Sequence, residues 1–203
     1  MPLILETIVT TKNADGSGWH LVPFGLIREN DGYIVAPFRP SPTIDNLESH
    51  PFLAASSPAD IRVLAGCVTG RRGWPTLPCD RIEGVRLAAC YAHSEFEVVD
   101  VAGDQIRPRF RCRLVHAAAH LPLIGFNRAQ AAVIEAAILS TRLGMLPPEK
   151  VRSEMEYLAI AIGKTAGPAE QEAWEWITAK IDAALGTGTP WHPDKQPHEE
   201  TTR

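Results

Sequence analysis

The chain changes its residue pattern once, near Gly125, and that change limits what it can fold into. Before it, β-branched and apolar segments alternate with Asn, Asp and Gly clusters, the punctuation of strands joined by tight turns. Residues 3–11 form the first such segment, 19–28 the second and 33–38 the third. Turn clusters at 13–18 and 29–32 separate them, which predicts a β-meander. Apolar segments at 61–68, 84–100 and 106–121 predict further strands, with a Gly- and Pro-rich loop over 69–79. Beyond Gly125 the spacing is helical. Asn127 and Gln130 form a cap-like pair ahead of an Ala-rich helix ending around Gly144, Pro147-Pro148 opens a second helix running to about Gly163, and Gly167-Pro168 opens a third. In the third, Trp174, Ile177, Ile181 and Leu185 make one apolar stripe ended by Gly186. The expected organisation is a β domain over 1–125, a helical region over 126–186 and a polar, disordered tail over 187–203. The class is mainly β (α+β), with three helices appended.

A chain of 203 residues with 45% hydrophobic and 22% charged residues can bury a core without disulfides or metals. The net charge of −4 and the absence of a long basic block argue against a nucleic-acid partner. No apolar run reaches the roughly 18 residues of a membrane span, and the N-terminus lacks the basic region and cleavage site of a signal peptide. The four cysteines, Cys67, Cys79, Cys90 and Cys112, show neither C-x-x-C pairing nor an activating context. A cytoplasmic setting with reduced, core thiols is expected.

Two segments carry candidate chemistry. In Val22-Pro23-Phe24-Gly25, Gly25 permits close backbone approach and Pro23 interrupts the ladder, as the wall of a flat aromatic cofactor would require. An edge strand with a bulge has the same residues. In Arg39-Pro40-Ser41-Pro42-Thr43-Ile44-Asp45-Asn46-Leu47, a cation, two hydroxyls and a helix start lie within a few residues, which suits a phosphate. Here Ser41 can cap the helix and Pro42 suits its first turn. A plain strand-to-helix connection would also look like this. No G-x-G-x-x-G fingerprint follows any strand, so a phosphate held here would be terminal rather than part of a dinucleotide.

Together these segments resemble a family, domain-of-unknown-function 447, whose members have the FMN-binding split-barrel fold and occur in methanogenic archaea and methanopterin-using methylotrophs. The matching residues are Glu6–Thr11, Asp15-Gly16, Val22–Gly25, Pro37-Phe38-Arg39 and Thr43–Leu47. They follow the patterns E-x-I-V-T-T, D-G, A-P-x-G, P-F-[KR] and T-Y-x-N-L. Val22 stands where Ala is usual, Ile44 where an aromatic is usual, and Ala55–Pro58 where many relatives carry an Asn-containing strand end. The resemblance implies a split barrel that binds FMN, with Thr10, Pro23, Phe24, Gly25, Pro37, Phe38, Arg39, Ser41, Thr43 and Asn46 as cofactor-binding residues. It also implies a homodimer with the flavin at the interface, and flavin-dependent redox chemistry on a small molecule, linked to methanopterin one-carbon metabolism. A non-catalytic FMN carrier or sensor module is the alternative, and a barrel that has lost its flavin is a third reading. No side-chain acid or base stands out.

Other features have plainer readings. Arg71, Arg72 and Trp74 in the 69–79 loop suggest either a cover that stacks on a ring or a solvated loop whose Trp packs on the barrel. Arg107, Arg109, Arg111 and Arg113 alternate along one strand face, an anion site or, more simply, a solvated outer face. His116 and His120 share a face, but a metal site needs a third ligand and a second shell, and the sequence offers neither. No metal is expected, and His20 and His93 read as structural or surface residues.

Overall fold

The computed structural model describes residues 2–29 and 32–186. The strands are β1 (Leu3–Lys12), β2 (Trp19–Glu29), β3 (Gly32–Val35), β4 (Phe52–Pro58), β5 (Thr76–Pro78), β6 (Val85–Leu87), β7 (Cys90–Gly103) and β8 (Pro108–Ala119). The helices are α1 (Pro42–Ser49), α2 (Arg62–Val68), α3 (Arg128–Ser140), α4 (Pro148–Thr165) and α5 (Pro168–Leu185). Six strands close a barrel in the order β1-β2-β3-β8-β7-β4, and β5-β6 form a separate hairpin. The closure is partial: β3 meets β2 only over Ile27–Glu29 and β8 only over Phe110–Cys112, so among the described residues Trp19–Leu26 of β2 and Arg113–Ala119 of β8 have a strand partner on one side only. The expected tail, 187–203, and the tip of the 29–32 turn lie outside the described residues.

The β1–β2 turn follows from its chemistry. Gly16 and Gly18 take positive φ, Asp15 Oδ1 accepts the Ser17 N–H, and the Asn13 N–H reaches the Gly18 carbonyl at 2.8 Å. The resulting register sets Glu6 opposite Gly25 and Thr10 opposite Leu21. Every second residue of the barrel strands points inward. Val9, Leu26, Val35, Leu53, Phe96, Phe110 and Cys112 form the interior, plugged by Ile44 and Leu47 of α1. Full burial of each such side chain contributes roughly 1.5–3 kcal/mol.

A second core lies outside the barrel. Ile8 points outward and joins a continuous cluster with Val63 and Leu64 of α2, Val133 of α3, Val151 of α4 and Trp174 and Ile177 of α5. Asn127 caps α3, accepting from the Ala129 and Gln130 N–H groups, while its own amide donates to the Thr165 carbonyl at the end of α4.

Three expectations are corrected. Residues 61–68 form helix α2, not a strand. Asp60 Oδ1 accepts the Arg62 N–H at 2.9 Å, and burial against α5 overrides the β preference of this apolar run. The 84–100 segment breaks into β6 and β7, with β5 arising inside the expected 69–79 loop. Strand β4 is missing from the strands that the residue pattern predicts, because Ser56, Ser57 and Pro58 weaken it, although the family resemblance implies a strand end at Ala55–Pro58. The alternating arginines of β8 do form an outer face, with Arg109 on Glu29 at 2.8 Å and Arg113 on Glu97, while Pro108, Phe110 and Cys112 point inward.

Candidate functional site

Strand β3 ends at Val35, and the chain crosses to α1 through a cis Arg39–Pro40 bond. At this corner Arg39 and Phe38 are exposed and Pro37 is buried. The Arg39 N–H donates to the Ile106 carbonyl at 2.8 Å, and its side-chain Nε donates to the Gln105 carbonyl at 3.2 Å. One terminal nitrogen meets Glu48 Oε1 at 3.1 Å. The guanidinium is thus tethered to the β7–β8 turn and to α1 yet keeps further N–H donors. Ser41 occupies the N-cap of α1, but its hydroxyl makes no cap bond, contrary to the expected capping role. Thr43 Oγ1 is buried and finds no hydrogen-bond partner. An unsatisfied buried hydroxyl costs on the order of 1–3 kcal/mol, which an added partner would recover. One exposed cation and the half-buried, uncommitted Ser41 hydroxyl therefore flank the start of one helix, a donor set that fits a phosphate group, while the Thr43 hydroxyl in the first turn is uncommitted but wholly buried.

Other sequence candidates have different work. Thr10 is buried, and its hydroxyl donates to the Val85 carbonyl, fastening β1 to β6. Asn46 is buried too; its amide donates to Thr11 Oγ1 at 2.9 Å and its carbonyl accepts the Ala14 N–H at 2.8 Å. Both side chains help to hold the barrel and its first turn. Pro23, Phe24 and Gly25 lie half-buried in the middle of β2. A Cβ at position 25 would lie 2.7 Å from Ile4 Cγ2, so any side chain here would have to displace the Ile4 side chain of β1.

Next to the helix start is a cleft of about 520 Å³, a volume suited to a small molecule. Its walls are Trp19, His20 and Leu21 of β2, Pro42 of α1, Cys67 of α2, and Arg72 and Trp74 from the loop. Pro42 sits between Ser41 and Thr43, so cleft and phosphate corner meet at the start of α1. His20, expected from the sequence as a structural or surface residue, lines this cleft, as does Trp19, to which the sequence assigns no role. The signal was the sequence proximity of Trp19-His20 to Val22–Gly25. The two loop arginines diverge. Arg71 stacks on Trp176 at 4.0 Å from the ring centroid, whereas Arg72 faces the cleft. Trp74 packs on α2 over Gly66, where any Cβ would collide with the indole. Burial holds His20 below its usual range, aided by the Arg72 charge. Burial also pushes the Cys67 thiol up to about 11, too high for a reactive thiolate.

Comparison with known proteins bears on this geometry. Residues 5–120 match the family model described as "Protein of unknown function (DUF447) N-terminal domain", and residues 127–179 match the remaining DUF447 model. The chain belongs to the DUF447 family. Among solved structures it is similar to an FMN-bound DUF447 protein from Methanosarcina mazei, at 20% identity and a TM-score of 0.75, covering 87% of this chain and 94% of that one. A flavoredoxin from Methanosarcina acetivorans matches at 13% identity and a TM-score of 0.49, over 58% of this chain and 69% of that one. An FMN-binding protein from Thermus thermophilus matches at 16% and 0.46, over 59% and 73%. No curated protein matches. The DUF447 likeness fixes the fold of this chain as the split barrel of its family. Among the described residues no helix is long and apolar enough to cross a membrane.

Proposed function

We propose that this DUF447 chain binds FMN, with the phosphate at Arg39, Ser41 and Thr43 and the ring system toward the cleft beside β2. One observation carries the reading: a tethered cation and the uncommitted hydroxyls of Ser41 and Thr43 adjoin in sequence Pro42 of α1, which lines a cleft large enough for a flat aromatic group. The FMN-bound Methanosarcina mazei relative, which shares the fold, supports it. Trp19 and Trp74 supply aromatic walls, and Arg72 supplies a second positive charge. FMN would supply hydride or electron transfer, and the protein would bind, orient and shield it.

The finer reading is a flavin-dependent oxidoreductase acting on a small molecule, with methanopterin-linked one-carbon metabolism as its setting. It would work as a homodimer in which a second copy covers exposed apolar side chains such as Ile4 of β1 and Phe38 at the phosphate corner. A carrier or sensor that holds FMN without turnover shares the same site.

The test is the cofactor released from purified protein, read by absorbance, mass and chromatography. FMN is expected, in a particle near twice 22.2 kDa. Tightly bound FAD, or a colourless protein that FMN does not stabilise, would overturn the reading. Reduction of the bound flavin by a nicotinamide or deazaflavin donor, then reoxidation by an added pterin, separates the enzyme from the carrier.

A further inference from the structure

On the outer face of the β7–β8 pair, away from the interior core, four chemistry-bearing side chains converge. His93 and Glu95 alternate along β7, both fully buried, and the register places His116 of β8 directly opposite Glu95. Asp80, from the turn between β5 and β6, folds over them with its side chain half exposed. His93 Nε2 lies 2.9 Å from Glu95 Oε1 and 3.6 Å from Asp80 Oδ2, and His116 Nε2 lies 3.4 Å from the same Asp80 oxygen. The ligand atoms of Asp80, His93 and Glu95 all lie within 4.8 Å of one another.

We propose that Asp80, His93, Glu95 and His116 form a binding site for a first-row divalent metal ion such as zinc. A tetrahedral ion with bonds of roughly 2.1 Å separates neighbouring ligand atoms by roughly 3.4 Å, close to the 2.9 and 3.6 Å from His93 Nε2 to Glu95 and Asp80; His116, near Asp80 alone in the empty site, would turn toward the ion as its fourth ligand. Two imidazoles and two carboxylates are a borderline donor set, suited to zinc, manganese or iron rather than to calcium or copper(I). The supports that orient metal ligands are in place. His93 Nδ1 is held by His120 Nε2 at 2.8 Å, with the two ring planes only 21° apart, which fixes the direction of Nε2. The Glu95 carboxylate is held by the N–H groups of Asp80, Arg81 and Ile82. Its Oε1, the oxygen facing His93, is bonded by one of them. The exposed Asp80 edge gives an ion its way in. The sequence showed only His116 and His120 together; the fold separates their roles, making His116 a ligand and His120 a positioning residue. The competing role is structural, with Glu95 and His93 simply anchoring the 80–82 turn.

Full-length protein treated with chelator is titrated with zinc by calorimetry and with cobalt(II) by visible absorbance. One ion per chain is expected, with a tetrahedral cobalt spectrum and a melting temperature that rises with metal concentration. Asp80→Asn and His116→Gln, both at the accessible edge, should each weaken binding at least about tenfold, and His120→Ala by roughly tenfold to a hundredfold. His93→Gln should abolish it; should that variant fail to fold, the two edge substitutions decide. No stoichiometric binding to the wild type, or unchanged affinity in folded Asp80→Asn and His116→Gln, would overturn the site. Flavin content plays no part in these readouts.

Discussion

Arg39 and Glu48 pair across the length of α1, guanidinium to carboxylate at 3.1 Å, so the cation assigned to the phosphate has a resident competitor. The pair is exposed on both sides, and such pairs contribute about 0–1 kcal/mol. A phosphate dianion, with more charge and more acceptor oxygens, should displace Glu48 at small cost.

Two substitutions separate the partners. Arg39→Ala should weaken FMN roughly tenfold to a hundredfold, from the loss of a charged hydrogen bond of about 1.5–3 kcal/mol. Riboflavin, which lacks the phosphate, should be nearly indifferent. Glu48→Gln should leave FMN affinity equal or up to about fivefold tighter. Titration of both ligands into each variant, with circular dichroism as the folding control, reads this. Unchanged FMN affinity in folded Arg39→Ala would move the phosphate to Arg72.

Asn46 gives the opposite expectation. Asn46→Ala leaves the Ala14 N–H and the Thr11 hydroxyl without their buried partner. Stability should fall by about 1–3 kcal/mol in urea unfolding, while FMN affinity of the folded fraction stays unchanged. A selective loss of FMN with normal stability would return Asn46 to the ligand site.

Gly66 lies beneath the Trp74 indole, and an added methyl would collide with the ring. Gly66→Ala should destabilise by roughly 1–3 kcal/mol through overpacking. In a Trp74→Leu background the same substitution should cost much less, and the difference is a coupling energy. Equal costs in both backgrounds would place the indole elsewhere.

Asp60 supplies a pH dependence. Burial alone would raise its pKa, but hydrogen bonds and charge from Arg62 outweigh that and hold it below the ordinary value. A depressed carboxylate stabilises above its unfolded pKa, about 3.9, and that contribution is lost as pH falls through the folded value. The stability gap between wild type and Asp60→Asn should be full at neutral pH and close below about pH 4. A gap that persists in acid would show that the carboxylate charge is not what Asp60 contributes.

What was legible in the sequence was whatever local chemistry determines. Asn13–Gly18 specified its turn, and Asn127 announced its helix. The run at 61–68 has the composition of a strand, but its conformation is set by the cluster it joins, with Ile8 and Trp174 far away in sequence. At the phosphate corner residue types were readable, but not their commitments: nothing in Thr10 or Asn46 says that Val85 or Ala14 will claim them. The His93–Glu95–His116 grouping depends on strand register, which a single sequence does not display. Its trace was the His-x-Glu alternation on β7.

The apolar layer built on Ile8 belongs equally to the barrel's outside and to helices α2, α3, α4 and α5. Cutting the chain between Ile124 and Arg128 would therefore divide one surface into two sticky halves, each missing its cover. Such fragments, made together in one cell, have a reason to find each other, and the 121–127 connector becomes a natural place to split the protein into a reassembling pair.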